Sequence, residues 1–513
     1  MADVDVTVLT GARLCAGGQV PAQPVDIAVA HGRVVAIAPH LDLAQMPAGG
    51  RVIPVDGRWV LPGLADHHVH FSTWARQRAR VCVVGAPSAA SAARTLAHAL
   101  AARAAQGGPA AARTLVGYGF QDALWPAAPT GEDLDQALAA VGQHGAAVVV
   151  ISHDMHSVWL NAAAATRYGA PHAGLLREDE AFLMEQVVDA EAAPFTAGLI
   201  AQAVQAAAAR GVTQIVDFQM EDNLATWRGR MAAGLTSLRV RAGLYPEHVQ
   251  AAMARGDRTG DVVPGTRGLL TVGPLKIFGD GALNTRTALC TQPYPDAPRA
   301  AGGGFGVSVY AQDELTALMT RAHGAGLEVA LHAIGDLAVT RALDAFAASG
   351  ARGSVEHAQL VAPADLPRFA ALGVAASVQP VHALDDRDVA DAVWADRAQH
   401  AFPLAALAHA GARLALGSDA PVAPLDPWAA VGAAVARTDD DRAPWQGANA
   451  LTVAQALAAS QAHPQVREGC DADLVVVDRD PYATDPRALA DMPVALTMCA
   501  GRITHTAVDA ARD

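Results

Sequence analysis

The most constraining feature of the sequence is a rhythm that begins near Gly211, where short apolar runs alternate with longer helical stretches. Strands that alternate with helices are typical of a parallel α/β sheet. An earlier apolar run ends in the histidine-rich stretch "LPGLADHHVHF" and brings the total to about eight. The sequence therefore predicts an α/β fold with a closed (β/α)8 TIM barrel over residues 59–465. The later runs are "GVTQIVDF", "SLRVRAGL", "VGPLKIFGDGA", "LEVALHAIGD", "GSVEHAQL", "GVAASVQP" and "ARLALGSDAP".

The two ends of the chain have a different pattern, in which short Val/Ile-rich runs are separated by Gly and Pro. This pattern is seen in "DVTVLTGARL", "VDIAVAHGRVVAIAP" and "RVIPVDGRWVLPG", and again in "DADLVVVDRDP" and "VALTMCAGRITH". It is typical of consecutive antiparallel strands. We therefore expect residues 1–58 and 466–513 to form one small β-sandwich. Residues of about 72–209 are too many for one βα loop and predict an inserted, mostly helical lid with a few strands, such as "LVGYGF" and "AAVVVIS".

Composition excludes several classes of protein. Hydrophobic residues make up 52% and charged residues 17%, yet no stretch approaches the roughly 20 uninterrupted apolar residues that span a bilayer. The net charge of -14 leaves no basic surface for nucleic acid. The first residues lack the basic and apolar parts of a secretory signal, so we expect a cytoplasmic location and no membrane. We expect a small-molecule substrate as the partner, and a homodimer is a further expectation.

Polar side chains follow several of the predicted barrel strands at the points where the strands end. The carboxyl ends of barrel strands meet at one mouth, where enzymes of this fold carry out their chemistry. The five cysteines form no CxxC pair, so a metal in this mouth would be held by histidine, carboxylate or modified lysine. We therefore predict a metal site made by His68, His70, Lys276, His332, His357 and Asp419.

The spacing of His68 and His70 has a physical reason, because residues two apart on a strand project to the same face. Two adjacent imidazoles can hold one metal ion, although solvated histidine pairs are also common. The further strand-end residues favour the metal interpretation. His67 falls on the opposite face and is interpreted as a core or hydrogen-bonding histidine.

Lys276 is unusual in such a mouth, because an ammonium group would be repelled by divalent cations. A neutral lysine amine can instead add carbon dioxide and become a carbamate, an anionic ligand able to bridge two metals. The alternative is an ion pair between Lys276 and Asp280, remote from any metal.

These motifs together resemble the amidohydrolase superfamily, and within it the amidohydrolase-3 branch, which includes N-substituted formamide deformylases. The resemblance implies that the six strand-end residues are the metal ligands, and we expect one or two divalent ions with Lys276 N6-carboxylated. Zinc is the default on ligand grounds, although imidazole and carboxylate also suit iron, manganese or cobalt. Asn284 and Thr285 stand where the branch often has Gly-Ser. The motifs are "LPGLADHHVHF", "LKIFGDGALNTRTA", "LHAIGD", "SVEHAQL", "SVQP", "LGSDAPV" with "LDPW", and "DADLVVVDRDP".

The resemblance extends to the insert, where "SHDMHSVWLNAAA" is similar to a family element. It implies that His156 contacts substrate, with a structural role as the alternative, and that Trp159 and Asn161 hold the fold of the insert. Phe120 is a further candidate substrate contact, weighed against simple packing. Arg286 is a candidate contact for an anionic group, weighed against a surface salt bridge.

The resulting hypothesis is a metal-dependent hydrolase that cleaves a non-peptide carbon–nitrogen bond in an amide, an N-acyl amine or an N-formyl amine. Asp419 is the catalytic residue, which takes a proton from water and returns it to the leaving amine. The alternatives are a lactone or ester hydrolase, a heterocycle deaminase and a non-catalytic relative. Deaminases usually work with one metal and no carboxylated lysine, so Lys276 argues against that alternative.

Overall fold

A computed structural model describes residues 6–15, 23–47, 49–106, 114–122, 125–192, 197–295 and 302–508. Its largest element is a sheet of eight parallel strands in chain order, each pairing with the next. This confirms the predicted (β/α)8 barrel. We refer to the strands as the first to the eighth barrel strand: Leu64–Val69, Val212–Asp217, Arg239–Leu244, Leu270–Phe278, Val329–Ala333, Gly353–His357, Ala375–Val378 and Leu414–Leu416.

The first and eighth strands close the barrel just beyond their ends. Asp419 donates its backbone N–H to the carbonyl of His68 over 2.7 Å, and His70 donates to the carbonyl of Ala420 over 2.7 Å. Gly417 allows this close approach, since a Cβ atom there would lie 2.7 Å from the backbone nitrogen of His68. The seam of the barrel therefore passes through the residues predicted to bind metal.

Helices follow most of the barrel strands, as the alternating pattern predicts. Their bounds are Asn223–Ala232, Pro246–Arg255, Gln312–Gly324, Asp336–Ser349, Leu366–Leu372, His382–Asp385, Arg387–Val393, Leu404–His409, Pro427–Ala436 and Val453–Ser460. Short 3₁₀ turns lie at Leu43–Gln45, Gly302–Gly304, Ala398–His400, Gly447–Asn449 and Pro486–Ala488.

Strands from both chain ends form a separate eight-stranded sheet, which confirms that the two termini combine in one small β-structure. The ends are joined where Trp59–Pro62 runs antiparallel to Leu474–Val477. Trp59–Pro62 therefore extends this sheet four residues beyond the expected boundary at residue 58. The apolar residues Leu9, Ile27, Val60, Leu474 and Leu496 are completely buried in its core. Its strands are Thr7–Leu14, Val25–Ala30, Arg33–Ala38, Arg51–Pro54, Trp59–Pro62, Leu474–Val477, Val494–Cys499 and Arg502–Thr506.

Residues 72–200 form a second compact unit, distinct from the unit made by residues 1–71 and 201–513. It contains five strands in one sheet, so the helical insert has a β-sheet within it. Both stretches that the sequence predicts as strands are confirmed, as Leu115–Phe120 and Val148–Ser152. The other strands are Val81–Cys82, Ser157–Leu160 and Gly174–Arg177. The helices of this unit and its borders are Phe71–Gln77, Ala89–Gln106, Gly131–Ala140, Ala162–Tyr168, Asp179–Ala192 and Ala197–Ala208.

Among the helices that the structure describes, none has both the length and the apolar character needed to cross a lipid bilayer.

Candidate metal centre

The first and eighth barrel strands bring two histidines and one carboxylate together. Asp419 Oδ1 lies 3.2 Å from His70 Nε2 and 3.5 Å from His68 Nε2. His68 is fully buried, whereas the His70 side chain is 18% exposed. Because the two histidines are two positions apart, both reach the same carboxylate, as the HxH spacing predicts.

The fifth and sixth strands add two further histidines. The His357 ring lies 5.0 Å from the His68 ring and 4.6 Å from the His332 ring, measured between centroids. His357 Nδ1 is 4.0 Å from Asp419 Oδ2. His68, His357 and Asp419 each offer one donor atom, and these donor atoms lie within 4.8 Å of one another. Side chains from four different strand ends are therefore gathered in one place.

Three of these histidines have one ring nitrogen engaged by an oxygen atom of the surrounding protein. An imidazole that donates from one nitrogen presents a lone pair on the other, which is the form that binds a metal. The arrangement therefore suits metal ligation. The three contacts are His68 Nδ1 to Glu356 Oε2 at 2.6 Å, His357 Nδ1 to Gln379 Oε1 at 2.9 Å, and His332 Nε2 to the carbonyl of Gly281 at 3.1 Å.

Lys276, on the fourth strand, lies beside the same group. Its Nζ is 3.4 Å from His68 Nε2 and 5.0 Å from the centroid of the Phe218 ring. Asp280, the alternative ion-pair partner, accepts backbone N–H groups from Leu289, Ile334 and Gly335 at 2.9–3.0 Å. The carboxylate of Asp280 therefore stabilises the loops after the fourth and fifth strands, and the lysine amine faces the histidine cluster.

Burial governs the charge state of Lys276. Removal from water lowers the pKa of its amine below the ordinary value, and the nearby Glu356 and Asp419 carboxylates oppose only part of this shift. A lower pKa increases the neutral fraction of the amine at a given pH. The neutral amine is the form that can add carbon dioxide.

Asp419 has the opposite electrostatic environment. Burial alone would raise the pKa of its carboxyl group, but the neighbouring His68, His70 and His357 outweigh that effect and hold the pKa well below the usual range. The carboxylate is therefore ionised at neutral pH. An ionised oxygen can bind a metal or accept a proton.

Two of the clustered residues have a backbone conformation that non-glycine residues rarely adopt. His357 has φ of 72° and Asp419 has φ of 55°. A non-glycine residue in such a conformation costs on the order of 1–3 kcal/mol, and such residues collect at functional sites. The fold therefore holds these two side chains in the cluster at a cost in local backbone stability.

Glu356 is a buried residue of this cluster that sequence reasoning missed. It directly precedes His357 on the sixth strand and holds His68. Burial raises its pKa, but the hydrogen bond and charge of His68 outweigh this effect, so its pKa lies below the ordinary value. The available signal was a carboxylate placed directly before the histidine that ends the sixth strand. Asp66, also unassigned from sequence, accepts N–H groups from His68 and Ser418, and burial raises its pKa to about 7.

His67 has two arginine side chains among its charged neighbours. It is partly buried, and removal from water lowers the pKa of its ring to about 4, with Arg241 and Arg413 adding to the shift. A neutral ring among charged neighbours agrees with its interpretation as a structural histidine.

His156 lies in the second unit and is held there. Its Nδ1 contacts Glu178 Oε2 at 2.9 Å, and its backbone N–H donates to Asp154 Oδ1 at 3.1 Å. Its ring packs edge-on against Phe182 at 5.3 Å. These contacts give the side chain a structural anchor, and its contact with substrate stays a prediction.

Phe120 lies in the core of the second unit. It is 1% exposed and packs against Trp125 and Trp159, with ring centroids 5.8 and 6.1 Å away. Packing, the alternative to substrate contact, therefore accounts for this side chain. Trp159 donates its ring N–H to Thr130 O over 2.7 Å, and the Asn161 amide bonds to Asp135 and Ala146, so both hold the fold of the insert as expected.

Arg286 is an exposed residue in the turn that follows the fourth strand. Its backbone N–H donates to Leu283 over 2.9 Å. The position leaves the guanidinium on the surface of the barrel unit, and its contact with an anionic group stays a prediction.

Comparisons with curated proteins give partial matches. The chain is 33% identical over 252 residues to YtcJ of Bacillus subtilis (strain 168), which is named as an amidohydrolase, covering 45% of this chain and 47% of YtcJ. It is 27% identical over 275 residues to the N-substituted formamide deformylase of Arthrobacter pascens, covering 49% of each. The chain therefore matches about half the length of these curated relatives.

Comparison with solved structures supports the fold over nearly the whole chain. An uncharacterised metal-dependent hydrolase from Pyrococcus horikoshii OT3 superposes with a TM-score of 0.76 at 24% identity, covering 94% of this chain and 99% of that protein. A second, from Pyrococcus furiosus, gives a TM-score of 0.73 at 24% identity, covering 93% and 100%. The sequence profile of the amidohydrolase family matches residues 51–505, which include the barrel and five of the eight strands of the terminal sheet. The chain therefore belongs to the amidohydrolase family.

Proposed function

We propose that the protein is a metal-dependent hydrolase that cleaves a carbon–nitrogen bond other than a peptide bond, in an amide, an N-acyl amine or an N-formyl amine. The observation that carries this proposal is the meeting of four histidines, a lysine and an ionised aspartate at the strand ends of one barrel. Burying so many polar side chains in one place costs folding free energy, and a bound metal ion would offset that cost.

The donor set fits one or two divalent ions. His68, His70, His332, His357 and Asp419 would hold them, and Lys276, whose Nζ lies beside His68, would add a carbamate ligand. Imidazole and carboxylate ligands suit zinc, and they also suit iron, manganese or cobalt. A divalent ion bound here would lower the pKa of water and polarise the carbonyl of the substrate.

Lys276 is proposed to be N6-carboxylated. Addition of carbon dioxide to its neutral amine forms a nitrogen–carbon bond and releases one proton, which leaves an anionic group. Support comes from the lowered pKa of the buried amine and from the 3.4 Å between its Nζ and His68 Nε2. An ammonium at this distance would oppose a cation, whereas a carbamate would bind it.

Asp419 is proposed to move the proton. Its carboxylate is ionised, and 12% of the side chain is exposed, so it can be reached by water. It accepts a proton from the attacking water, and it then returns that proton to the nitrogen of the leaving amine.

The choice of bond is supported by the family and by one relative named as an N-substituted formamide deformylase. A matched panel should test it, in which N-formyl, N-acetyl and longer N-acyl derivatives of one amine are offered with the corresponding esters and a lactone. The zinc-loaded protein should release amine from at least one N-acyl or N-formyl compound, and chelation should abolish that release. Turnover of esters or the lactone alone would contradict the carbon–nitrogen specificity.

A further inference from the structure

The feature that carries a further inference is the bond between Glu356 and His68. Glu356 Oε2 lies 2.6 Å from His68 Nδ1, and both side chains are only 1% exposed. The two residues belong to the sixth and first barrel strands, which are not neighbours in the sheet. Their hydrogen bond therefore crosses the interior of the barrel.

The support for Glu356 is rigid on both sides. Its strand pairs with the fifth strand, where His332 is its partner in register, and with the seventh strand, where Ser377 is its partner. The second carboxylate oxygen, Oε1, accepts a short hydrogen bond from the Ser354 hydroxyl. Both oxygens of the carboxylate are thus engaged, and its position is fixed by the sheet.

We infer that Glu356 is a positioning residue that holds His68 in the form able to bind metal. An ionised carboxylate only accepts hydrogen bonds, so it requires the proton of His68 to be on Nδ1. The lone pair is then on Nε2, the atom that lies 3.5 Å from Asp419 Oδ1 and 3.4 Å from Lys276 Nζ. The same bond fixes the plane of the ring.

The corresponding support of His357 is chemically different. His357 Nδ1 contacts the amide oxygen of Gln379 at 2.9 Å, and an amide carries no net charge. A charged acceptor makes a stronger hydrogen bond and raises the basicity of the ring more than a neutral acceptor does. The metal affinity of His68 should therefore depend more on its supporting residue than that of His357 does.

The inference rests on the proposed metal-dependent function, and metal affinity tests it directly. Glu356→Gln keeps the size of the side chain but offers an N–H donor as well as an acceptor, so it no longer requires the proton of His68 to stay on Nδ1. We expect chelator competition to show zinc affinity on the order of 10-fold lower for Glu356→Gln and up to about 100-fold lower for Glu356→Ala. Wild-type affinity in Glu356→Gln would overturn the inference.

Ser354→Ala is the matched control, because it removes the bond to the other oxygen of the same carboxylate and leaves the acceptor of His68 in place. Its zinc affinity should stay close to that of the wild type. Metal-free Glu356→Gln should melt close to metal-free wild type. A large fall in the melting temperature with unchanged affinity would make Glu356 purely structural and overturn the inference.

Turnover at saturating zinc separates positioning from direct participation. Once zinc occupies the site, Glu356→Gln should recover most of the wild-type kcat, because the residue acts through His68. A kcat that stays low at full metal loading would overturn the positioning role. If wild-type protein itself binds no metal, it is the proposed function that fails, so the two outcomes are distinguishable.

Discussion

The barrel mouth and the core of the second unit both bury several aromatic or imidazole rings, but the rings serve different purposes. In the mouth, the rings of His68, His332 and His357 lie next to one another, and each has one nitrogen engaged by an oxygen atom. In the second unit, Phe120 packs against tryptophan rings within an apolar cluster. Buried rings therefore indicate a functional site only where their polar atoms converge on a common point.

The largest effect is expected at Lys276. Lys276→Ala should abolish most turnover and lower the bound metal, because the proposed carbamate ligand is lost. Lys276→Arg should not retain the turnover or the bound metal, since a guanidinium keeps its positive charge and cannot form a carbamate. Activity assays with metal analysis check both, and a short-chain carboxylate added to Lys276→Ala should restore part of the activity. Full metal content with normal turnover would reduce the proposal to a single-metal hydrolase.

Asp419→Asn should lower kcat by about 10²–10⁴-fold, because the amide cannot accept a proton from water. Steady-state kinetics on an amide substrate measures this loss, and circular dichroism checks that the fold is retained. Asp439→Asn is a suitable control, because that side chain is exposed on a loop. Wild-type kcat in Asp419→Asn would remove the assigned proton acceptor.

Phe120→Ala should lower the stability of the fold and leave the metal affinity unchanged. Truncating this buried ring should destabilise the second unit by about 3–5 kcal/mol, measured by chemical denaturation with tryptophan fluorescence. Zinc affinity should be unchanged, because the ring contacts Trp125 and Trp159. Leu183→Ala, at a position that is 63% exposed in the same unit, is the control with little expected effect. A fall in metal affinity in Phe120→Ala would weaken the contrast between the two regions.

The smallest effect is expected at Arg286. Arg286→Ala should change the free energy of unfolding by less than about 0.5 kcal/mol, because the side chain is exposed. If the residue contacts an anionic group, KM should rise for a carboxylate-bearing substrate and stay constant for a neutral analogue. Equal KM changes for both substrates would exclude that contact.

Much of the barrel could be predicted from sequence, because its information is local and repeated. Each strand and each helix can be recognised from the periodicity of its own apolar residues, and the parallel order of the strands follows from the alternation of strands with helices. His68, His332 and His357 could be placed at strand ends by the same reasoning. The terminal sheet could be predicted equally well, since turn residues separate its strands.

Glu356 could not be assigned from sequence, because its role depends on a residue across the barrel. The pattern "GSVEH" indicates a strand that ends in histidine, but no spacing rule connects position 356 to position 68. The core packing of Phe120 could not be assigned for a related reason, since an aromatic ring near a family motif can face either a substrate or a core. Both cases require the tertiary packing that sets neighbours from distant parts of the chain.

The closure of the barrel has a consequence for how the protein is made. Ser418 and Asp66, which bond across the seam between the first and eighth strands, are 352 residues apart. Contacts over such distances form late in folding, because the chain between them must first be ordered. A ribosome that has released only the first histidines has therefore made a chain with no complete site. A divalent ion held by the proposed ligands would therefore bind only after nearly the whole barrel has formed, and its binding would stabilise the folded chain by mass action.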